Sequence, residues 1–466
     1  MKDRSNITIY YDADCPTCTL YKEASEQPDS TWQPNSGNEK EIIVEQNGNI
    51  LRNIEAVAAI EQMKGNDRRA KILRNPILKP FFKIGYRIIA QYRRVILGPK
   101  ATFFWIKTTI GLGLLCASLA SWRLWFTWHD FPAAPLLGGV GNGLYTISNV
   151  FGFIYFGLLL ALIFTRRHTK IITLLLIGIS TLMILGDLNR LRPWLYQLLL
   201  LLGALNLSKT EKSLPFSFLL VFASTYFWGG LQKLNSYFLE EIWPWFISPV
   251  TQLIPLHTPI ITALGVIVIC IEISIGLLIL KGRGVAAAIL ATLTHLTIVT
   301  LLPIGHQWGF VVLFWNLALL AIAWIVQKQR FTIESKIAIA VVILLSWILP
   351  IGNWFGVWDN YLSGALYAHE TDRGYIVVLN GDIPLLPANA QNNLISWNED
   401  ESAIDTLMWS YDNYNTVLYT SDRAYIAALQ EICELTDATL YLRAKKRHFR
   451  TLPGQIISCD TLHKQE

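Results

Sequence analysis

The chain has 466 residues, of which 52% are hydrophobic and only 16% charged, with a mean hydropathy of +0.36. That leaves too few polar groups to cover a water-soluble fold of this size, so a bilayer is the expected surrounding. The net charge of +5 is small for the length, and its basic residues sit in short clusters between apolar runs, a pattern of membrane topology rather than of nucleic-acid binding.

The first six residues and the run Ile7 to Tyr11 contain no apolar signal region of sufficient length and no small-residue cleavage site, so the N-terminal domain is expected to stay cytoplasmic. Ile7 to Tyr11 is β-branched and aromatic and predicts a buried strand, which a cysteine loop follows. Glu41 to Glu45 and Asn49 to Leu51 flank Asn47-Gly48, a hairpin signal, and Ile54 to Met63 has helical apolar spacing. Strand, Cys-x-x-Cys, helix, hairpin and helix in this order outline a small thioredoxin-like α/β domain over residues 1–75. Residues 76–100, with Phe81, Phe82, Ile84, Tyr86, Ile88 and Ile89, predict a basic amphipathic helix lying at the cytoplasmic interface.

From about residue 101 to 353, apolar runs alternate with short polar breaks, which predicts an α-helical polytopic bundle of about nine spans. The expected spans are 102–121, 143–164, 171–186, 193–207, 214–232, 259–280, 285–303, 308–326 and 336–353. The third and fourth are short enough to form a re-entrant hairpin instead of two crossings. Alternate breaks carry the cations: Lys79 to Lys100, Arg166-Arg167-His168-Thr169-Lys170, Lys209 with Lys212, Lys281 with Arg283, then Lys328, Arg330 and Lys336. By the positive-inside rule the N-terminus faces the cytoplasm and the tail lies outside a cytoplasmic membrane, so an odd number of spans is expected. The tail, 354–466, mixes strand-like runs (Tyr375 to Leu379, Thr439 to Arg443) with a helix-like segment, Arg423 to Leu435, and predicts a small extracytoplasmic α+β domain.

Six cysteines fall in three pairs by region, which is no disulfide-dense scaffold. Cys15 and Cys18, where a strand turns into a helix, place the first thiol at a helix N-terminus, whose partial positive charge favours thiolate. A resolving thiol one turn away can then close a disulfide. No second ligand pair lies nearby, so no metal is expected, although two unreactive structural cysteines remain an alternative. Cys433 and Cys459 can form a structural disulfide if both lie outside.

Ionisable residues at membrane depth are the other signal, because a buried charge is costly unless it is paired or faces water. Asp187 and Arg190 sit close enough to pair. Lys233 ends the fifth span, near enough to the interface either to snorkel or to be buried. Glu272 and His295 lie mid-span, the acid too deep to reach water, the imidazole with a simple backbone hydrogen bond as its bland alternative. Trp228, Trp243 and Trp245 read as interfacial anchors.

Tyr11-Asp12-Ala13-Asp14-Cys15-Pro16-Thr17-Cys18 resembles the signature of the DCC-type thiol-disulfide oxidoreductase family, whose motif usually begins Tyr-Asp-Gly-Asp-Cys-Pro. Gly48, Ala56-Val57 and Tyr86 to Ala90 also resemble its pattern, over about the first 97 residues. The resemblance implies Cys15 as the attacking thiol, Cys18 as the resolving one and Asp12 as the family acid. About 20 residues separate Cys18 from Glu41, so the middle strand or helix is expected to be trimmed. Asp187 to Gln197, Tyr226 to Leu234, Glu272 with Gly276, His295, and Trp358-Asp359-Asn360-Tyr361-Leu362-Ser363 together resemble the bacterial membrane domain related to DoxX and to the horizontally transferred transmembrane domain of vitamin K-dependent γ-carboxylases. In the carboxylase a lysine in a Gly-x-x-Lys-Leu stretch acts as base on reduced vitamin K, which points to Lys233. Asp187, Arg190 and Trp194 are candidate cofactor-binding residues within the matched stretch.

The leading expectation is a membrane-bound thiol-disulfide oxidoreductase that couples a cytoplasmic dithiol to a membrane quinone or a protein thiol. Cys15, Cys18, Asp12, Lys233, Glu272 and His295 are its candidate catalytic residues. The alternatives are a quinol-dependent, carboxylase-like modification enzyme and a non-enzymatic membrane assembly or transport factor.

Overall fold

The computed structural model describes all residues except 1–6, 13–15, 24, 28, 29, 36–41, 47, 77, 84, 85, 87–100, 130, 166, 167, 209–212, 328, 330, 369–372, 444, 447–450 and 464–466. The chain divides into two compact units, one of residues 1–105 and one formed by most of residues 106–466.

In the first unit, strand β1 (Ile7–Tyr11) is followed by helix α1 (Pro16–Glu23), strand β2 (Ser30–Pro34), the hairpin strands β3 (Ile43–Gln46) and β4 (Asn49–Arg52), and helices α2 (Ile54–Met63) and α3 (Asp67–Arg74). The sheet order is β2-β1-β3-β4, with β1 parallel to β2 and antiparallel to β3. The hairpin turns at Gly48, whose φ of 76° suits a residue without a Cβ. The stretch expected to be trimmed holds a strand after all, because Trp32 of β2 supplies an anchor. It packs edge-to-face on Tyr11 and Tyr21 and joins a core of Ile9, Val44 and Ile60. Of the expected interfacial helix, residues 79–83 and 86 are helical, and its remainder from residue 87 lies outside the described residues.

The second unit is mostly helical. Its long apolar helices are α4 (Ala101–Ala120), α6 (Ser148–Phe164, preceded by α5, Gly138–Thr146), α7 (Thr169–Gly186), α8 (Pro193–Leu205), α9 (Phe216–Leu231), α10 (Thr258–Leu280), α11 (Gly284–Val299), α12 (Phe310–Val326) and α13 (Lys336–Ile343), the last continuing in tighter and wider turns to Phe355. Each expected apolar segment is therefore helical. Five helices are long and apolar enough to cross a membrane, six if the pair α5 and α6, bent by 61°, counts as one; α8, α9 and α12 are apolar but shorter. Such a set of helices is that of a membrane protein.

Local chemistry sets several ends. Pro193 and Pro259 occupy the first helical turns of α8 and α10, where the missing N–H costs nothing. The Glu334 carboxylate accepts from the backbone N–H groups of Phe216 (2.9 Å) and Ser217 (2.8 Å), capping α9 from a distant segment. Lys107, buried in α4, donates to the carbonyl oxygens of Leu162, Ile163 (3.2 Å) and Thr165 (2.6 Å), so its ammonium neutralises the carboxyl end of α6.

The tail adds a five-stranded antiparallel sheet. Its strands are β5 (Gly374–Leu379), β6 (Leu394–Ser396), β7 (Glu401–Asp405), β8 (Thr439–Leu442) and β9 (Gln455–Ser458), in the order β9-β8-β5-β7-β6. Helices α14 (Thr406–Tyr414) and α15 (Asp422–Cys433) complete it. Cys433 and Cys459 are joined in a disulfide. The tail is seated on the helical bundle: Arg192 donates to the Val417 carbonyl (2.5 Å), Asn415 to Ala120 (2.9 Å) and Arg423 to Pro135 and Leu136 (both 3.0 Å). Trp308 stacks on Tyr411 with ring centroids 3.7 Å apart. Tyr419 donates to the Asp359 carboxylate, and burial together with that carboxylate holds the Tyr419 phenol well above its usual pKa.

Candidate functional site

Helices α9 and α10 approach closely because each presents a glycine to the other. A Cβ on Gly230 would lie 2.9 Å from the Glu272 Cβ, the Ile269 oxygen and the Ile273 nitrogen, and one on Gly276 would lie 2.7 Å from the Ala223 oxygen. This proximity brings Lys233, just past the end of α9, to Glu272 in the middle of α10. Their Nζ and Oε2 are 2.5 Å apart, with side-chain exposures of 16% and 8%. Lys233, partly buried, is thus paired with a buried acid, and each charge makes the other tolerable in an apolar setting. The end of α9 is pinned by Gln232, which donates to the Pro350 carbonyl (3.1 Å) and accepts from Asn353 (3.2 Å).

One helix further on, His295 of α11 makes two side-chain bonds, not the backbone bond of the bland alternative. Its Nε2 is 2.7 Å from the Tyr226 hydroxyl and its Nδ1 is 2.7 Å from Asn316 Oδ1. Asn316 donates its own Nδ2 to the Val312 carbonyl at 2.8 Å, which leaves its oxygen facing the imidazole. Nδ1 therefore carries the proton, and Nε2 accepts from Tyr226 in the neutral ring. Tyr226, His295 and Asn316 form a continuous buried hydrogen-bond chain.

Both constellations line one cavity of about 220 Å³, walled by α9, α10, α11, α12, the segment Phe238–Phe246 and residues 364–367. The rest of its wall is mainly aliphatic and aromatic, including Trp243, Phe246 and Trp315, with Gln197 of α8 and three threonines among them. The Trp358 to Ser363 stretch delivers the last wall. Asp359 accepts from the Leu362 N–H at 2.9 Å and turns the chain, and Gly364, at φ 71°, faces Gly229 and Gln197. Lining threonines are satisfied within their own helices: Thr225 donates to Val221 (3.0 Å), Thr294 to Leu290 (3.1 Å) and Thr297 to Leu293 (2.9 Å). The Trp243 indole donates to the Ile261 carbonyl at 2.7 Å, and Tyr367 interacts with Trp308. The Trp243 side chain is buried against α10, and Trp228 is buried too, so neither is the exposed anchor the sequence predicts; Trp245 keeps 38% exposure.

Asp187, Arg190 and Trp194 do not belong to this cavity. All three are enclosed by protein, with exposures of 0%, 0% and 3%. Asp187 accepts from the N–H groups of Ala134 (3.1 Å) and Asn189 (3.0 Å). Arg190 donates to Leu124 (2.9 Å), Ser148 (2.7 Å) and Met183 (3.3 Å), and stands 4.0 Å from Asp187. Trp194 packs edge-on against Trp125. The Asp187 and Arg190 side chains of the expected cofactor-binding group therefore tie the break between α4 and α5, the start of α6 and the break before α8 together.

In the first unit Asp12 and Cys18 are buried, at 4% and 2% exposure, with Cys18 in the apolar core beside Ile9 and Trp32. Cys15 lies outside the described residues. Among the cavity residues, Asn316 and Trp315 are functional candidates that the sequence does not single out, since an isolated amide or indole within an apolar run has no periodic signal; Gln197 enters there only as the end of the matched Asp187 to Gln197 stretch. Comparison of the chain with protein-family models, curated proteins and solved structures gives no match.

Proposed function

We propose that this protein is a multi-pass oxidoreductase of the cytoplasmic membrane in which the Cys15/Cys18 dithiol of a DCC-like, thioredoxin-like unit reduces a membrane quinone. In this reading the chain crosses the bilayer about nine times, with the first unit in the cytoplasm and the tail outside. The stoichiometry closes: two thiols and one quinone give one disulfide and one quinol, two electrons and two protons passing together.

The observation that carries the reading is the cavity, where an ion pair and a phenol–imidazole–amide chain converge inside apolar walls. A quinone reduced in such a place needs a proton at each ring oxygen, and Lys233 with Glu272, and Tyr226 with His295, are two separate donors in the same wall. The parallel β1-α1-β2 unit with its added hairpin, and Cys18 on α1, support a dithiol role for the first unit.

The test is reduction of a short-chain quinone by the full-length protein in lipid vesicles supplied with a dithiol reductant. Cys15→Ser abolishes it, and Glu272→Gln lowers it by about 10²-fold, the ordinary worth of one acid–base group. Unchanged rates in both variants overturn the proposal. One observation favours a second reading: Glu272 lies beside Lys233 on the cavity wall, so the carboxylate taking the ammonium proton would leave a neutral amine to act as base on a quinol. Epoxide formed from reduced quinone, carbon dioxide and oxygen would select that quinol-dependent, carboxylase-like activity.

A further inference from the structure

The helices α9 to α12 enclose a second cavity, of about 100 Å³, that shares no residue with the cavity of Lys233 and His295. The first meets α9 from Thr225 onward, whereas this one meets it at Leu219 and Phe222, towards the other end of the helix. Its floor is apolar and buried, and the hollow exists because α11 and α12 present Ala287, Ala288 and Ala323 there, where larger side chains would fill it. Leu280, Gly282 and Gln329 on its rim are exposed, so the pit opens at the surface. A Cβ on Gly284 would collide with the Gln327 carbonyl, so α11 starts hard against the end of α12 beside that opening.

The rim is cationic. Lys281 and Arg283 bracket Gly282 on the turn between α10 and α11, and both are exposed. Among the described residues neither makes an ion pair or a side-chain hydrogen bond. Glu334, an acid close in sequence to the lining residue Phe331, gives its carboxylate to the Phe216 and Ser217 N–H groups. The turn follows α10, an apolar helix of 23 residues that is long enough to cross the hydrocarbon, so it lies at the depth of the lipid headgroups. The anions concentrated at that depth are lipid phosphates.

We infer that this pit is the binding site of one anionic phospholipid, with an acyl chain seated against Ala287, Ala288 and Ala323 and the headgroup phosphate on Lys281 and Arg283. A free anion would leave the apolar hollow empty, and an uncharged hydrocarbon would leave the two cations unanswered. A zwitterionic lipid brings its own cation to the same two charges. The site is separate from the cavity of Lys233 and His295 and stands whether or not a quinone occupies that cavity.

The test is titration of the full-length protein in detergent with phosphatidylglycerol or with phosphatidylcholine of the same acyl chains, the first bound lipid being counted by native mass spectrometry. The unaltered protein is expected to bind its first phosphatidylglycerol about 30-fold more tightly than its first phosphatidylcholine, about fivefold for each of the two cations. Lys281→Gln with Arg283→Gln removes that preference. Ala288→Leu fills the pit and weakens the first phosphatidylglycerol about tenfold, the worth of about two buried methylenes. Equal affinity of the unaltered protein for the two lipids overturns the inference without any variant having to fold. A preference that survives Lys281→Gln with Arg283→Gln belongs to other basic segments of the chain and overturns the site. Unchanged affinity in a folded Ala288→Leu protein leaves only a headgroup contact and overturns the acyl-chain seat. Displacement of the first phosphatidylglycerol by a long-tailed quinone, but not by its short-chain form, makes the pit a seat for the quinone tail and overturns the assignment to a phospholipid.

Discussion

Two adjacent glycines on α9 make a sharp prediction, because the same substitution meets different surroundings one residue apart. A Cβ at Gly229 would have Glu272 Oε2 as its nearest neighbour, 3.8 Å away, which is ordinary contact. A Cβ at Gly230 would meet three atoms at 2.9 Å, two of them main-chain atoms of α10 that cannot rotate aside. Normal contact is about 3.5–4.0 Å, so the helices must part by roughly 0.6–1 Å. Overpacking of this kind costs about 1–3 kcal/mol, against which alanine returns up to about 1 kcal/mol of helix propensity at either site. Gly229→Ala is therefore neutral to slightly stabilising, and Gly230→Ala is destabilising with a loosened Lys233–Glu272 contact. Unfolding of each variant in mixed micelles by a graded denaturing detergent measures the difference. If Gly230→Ala unfolds no earlier than Gly229→Ala, the close glycine-mediated approach of α9 and α10 is wrong, and with it the geometry of the ion pair.

Two further outcomes test other contacts. Glu272→Gln strands the Lys233 ammonium and is expected to destabilise by about 3–5 kcal/mol, whereas Lys233→Met with Glu272→Leu recovers most of that stability without activity; a double variant as unstable as the single one contradicts the pairing. Removing the Cys433–Cys459 disulfide, which closes a loop with a sequence separation of 26, is expected to cost about 3.5 kcal/mol on the chain-entropy account, read as an earlier unfolding transition of the tail in Cys433→Ser; an unchanged transition refutes it.

The helices were legible because apolar length is a property of consecutive residues. Thus Lys336, Pro193 and Pro259 mark helix starts in the sequence where the structure has them. Likewise, the hairpin at Gly48, the α2 helix and the tail helix from Asp422 follow local turn and periodicity signals. β2 was not legible: Ser30–Pro34 has no clean alternation, and its strand depends on parallel pairing with β1 and on the Trp32 anchor. In the site, burial cost alone flags Lys233, Glu272 and His295. Their partnerships are another matter, since Lys233 and Glu272 are 39 residues apart and Tyr226 and His295 are 69 apart. Such pairs are set by which helix faces meet, and one sequence does not encode that locally. Asp187 and Arg190 show the converse. Their burial cost is real, and backbone groups of Ala134, Leu124 and Met183 meet part of it, so these charges fasten chain segments to one another.

The bonds from Arg192 to Val417, Asn415 to Ala120 and Arg423 to Pro135 span 225, 295 and 288 residues of sequence. During synthesis, every apolar helix emerges from the ribosome before any of these partners exists. The nascent chain thus passes through a stage in which the helices are all present while one rim stands open, with the Arg192 guanidinium lacking its carbonyl. Quality control acting on a product of a stop codon placed between Phe355 and Asn415 would meet that unclosed intermediate, not a shorter version of the finished protein.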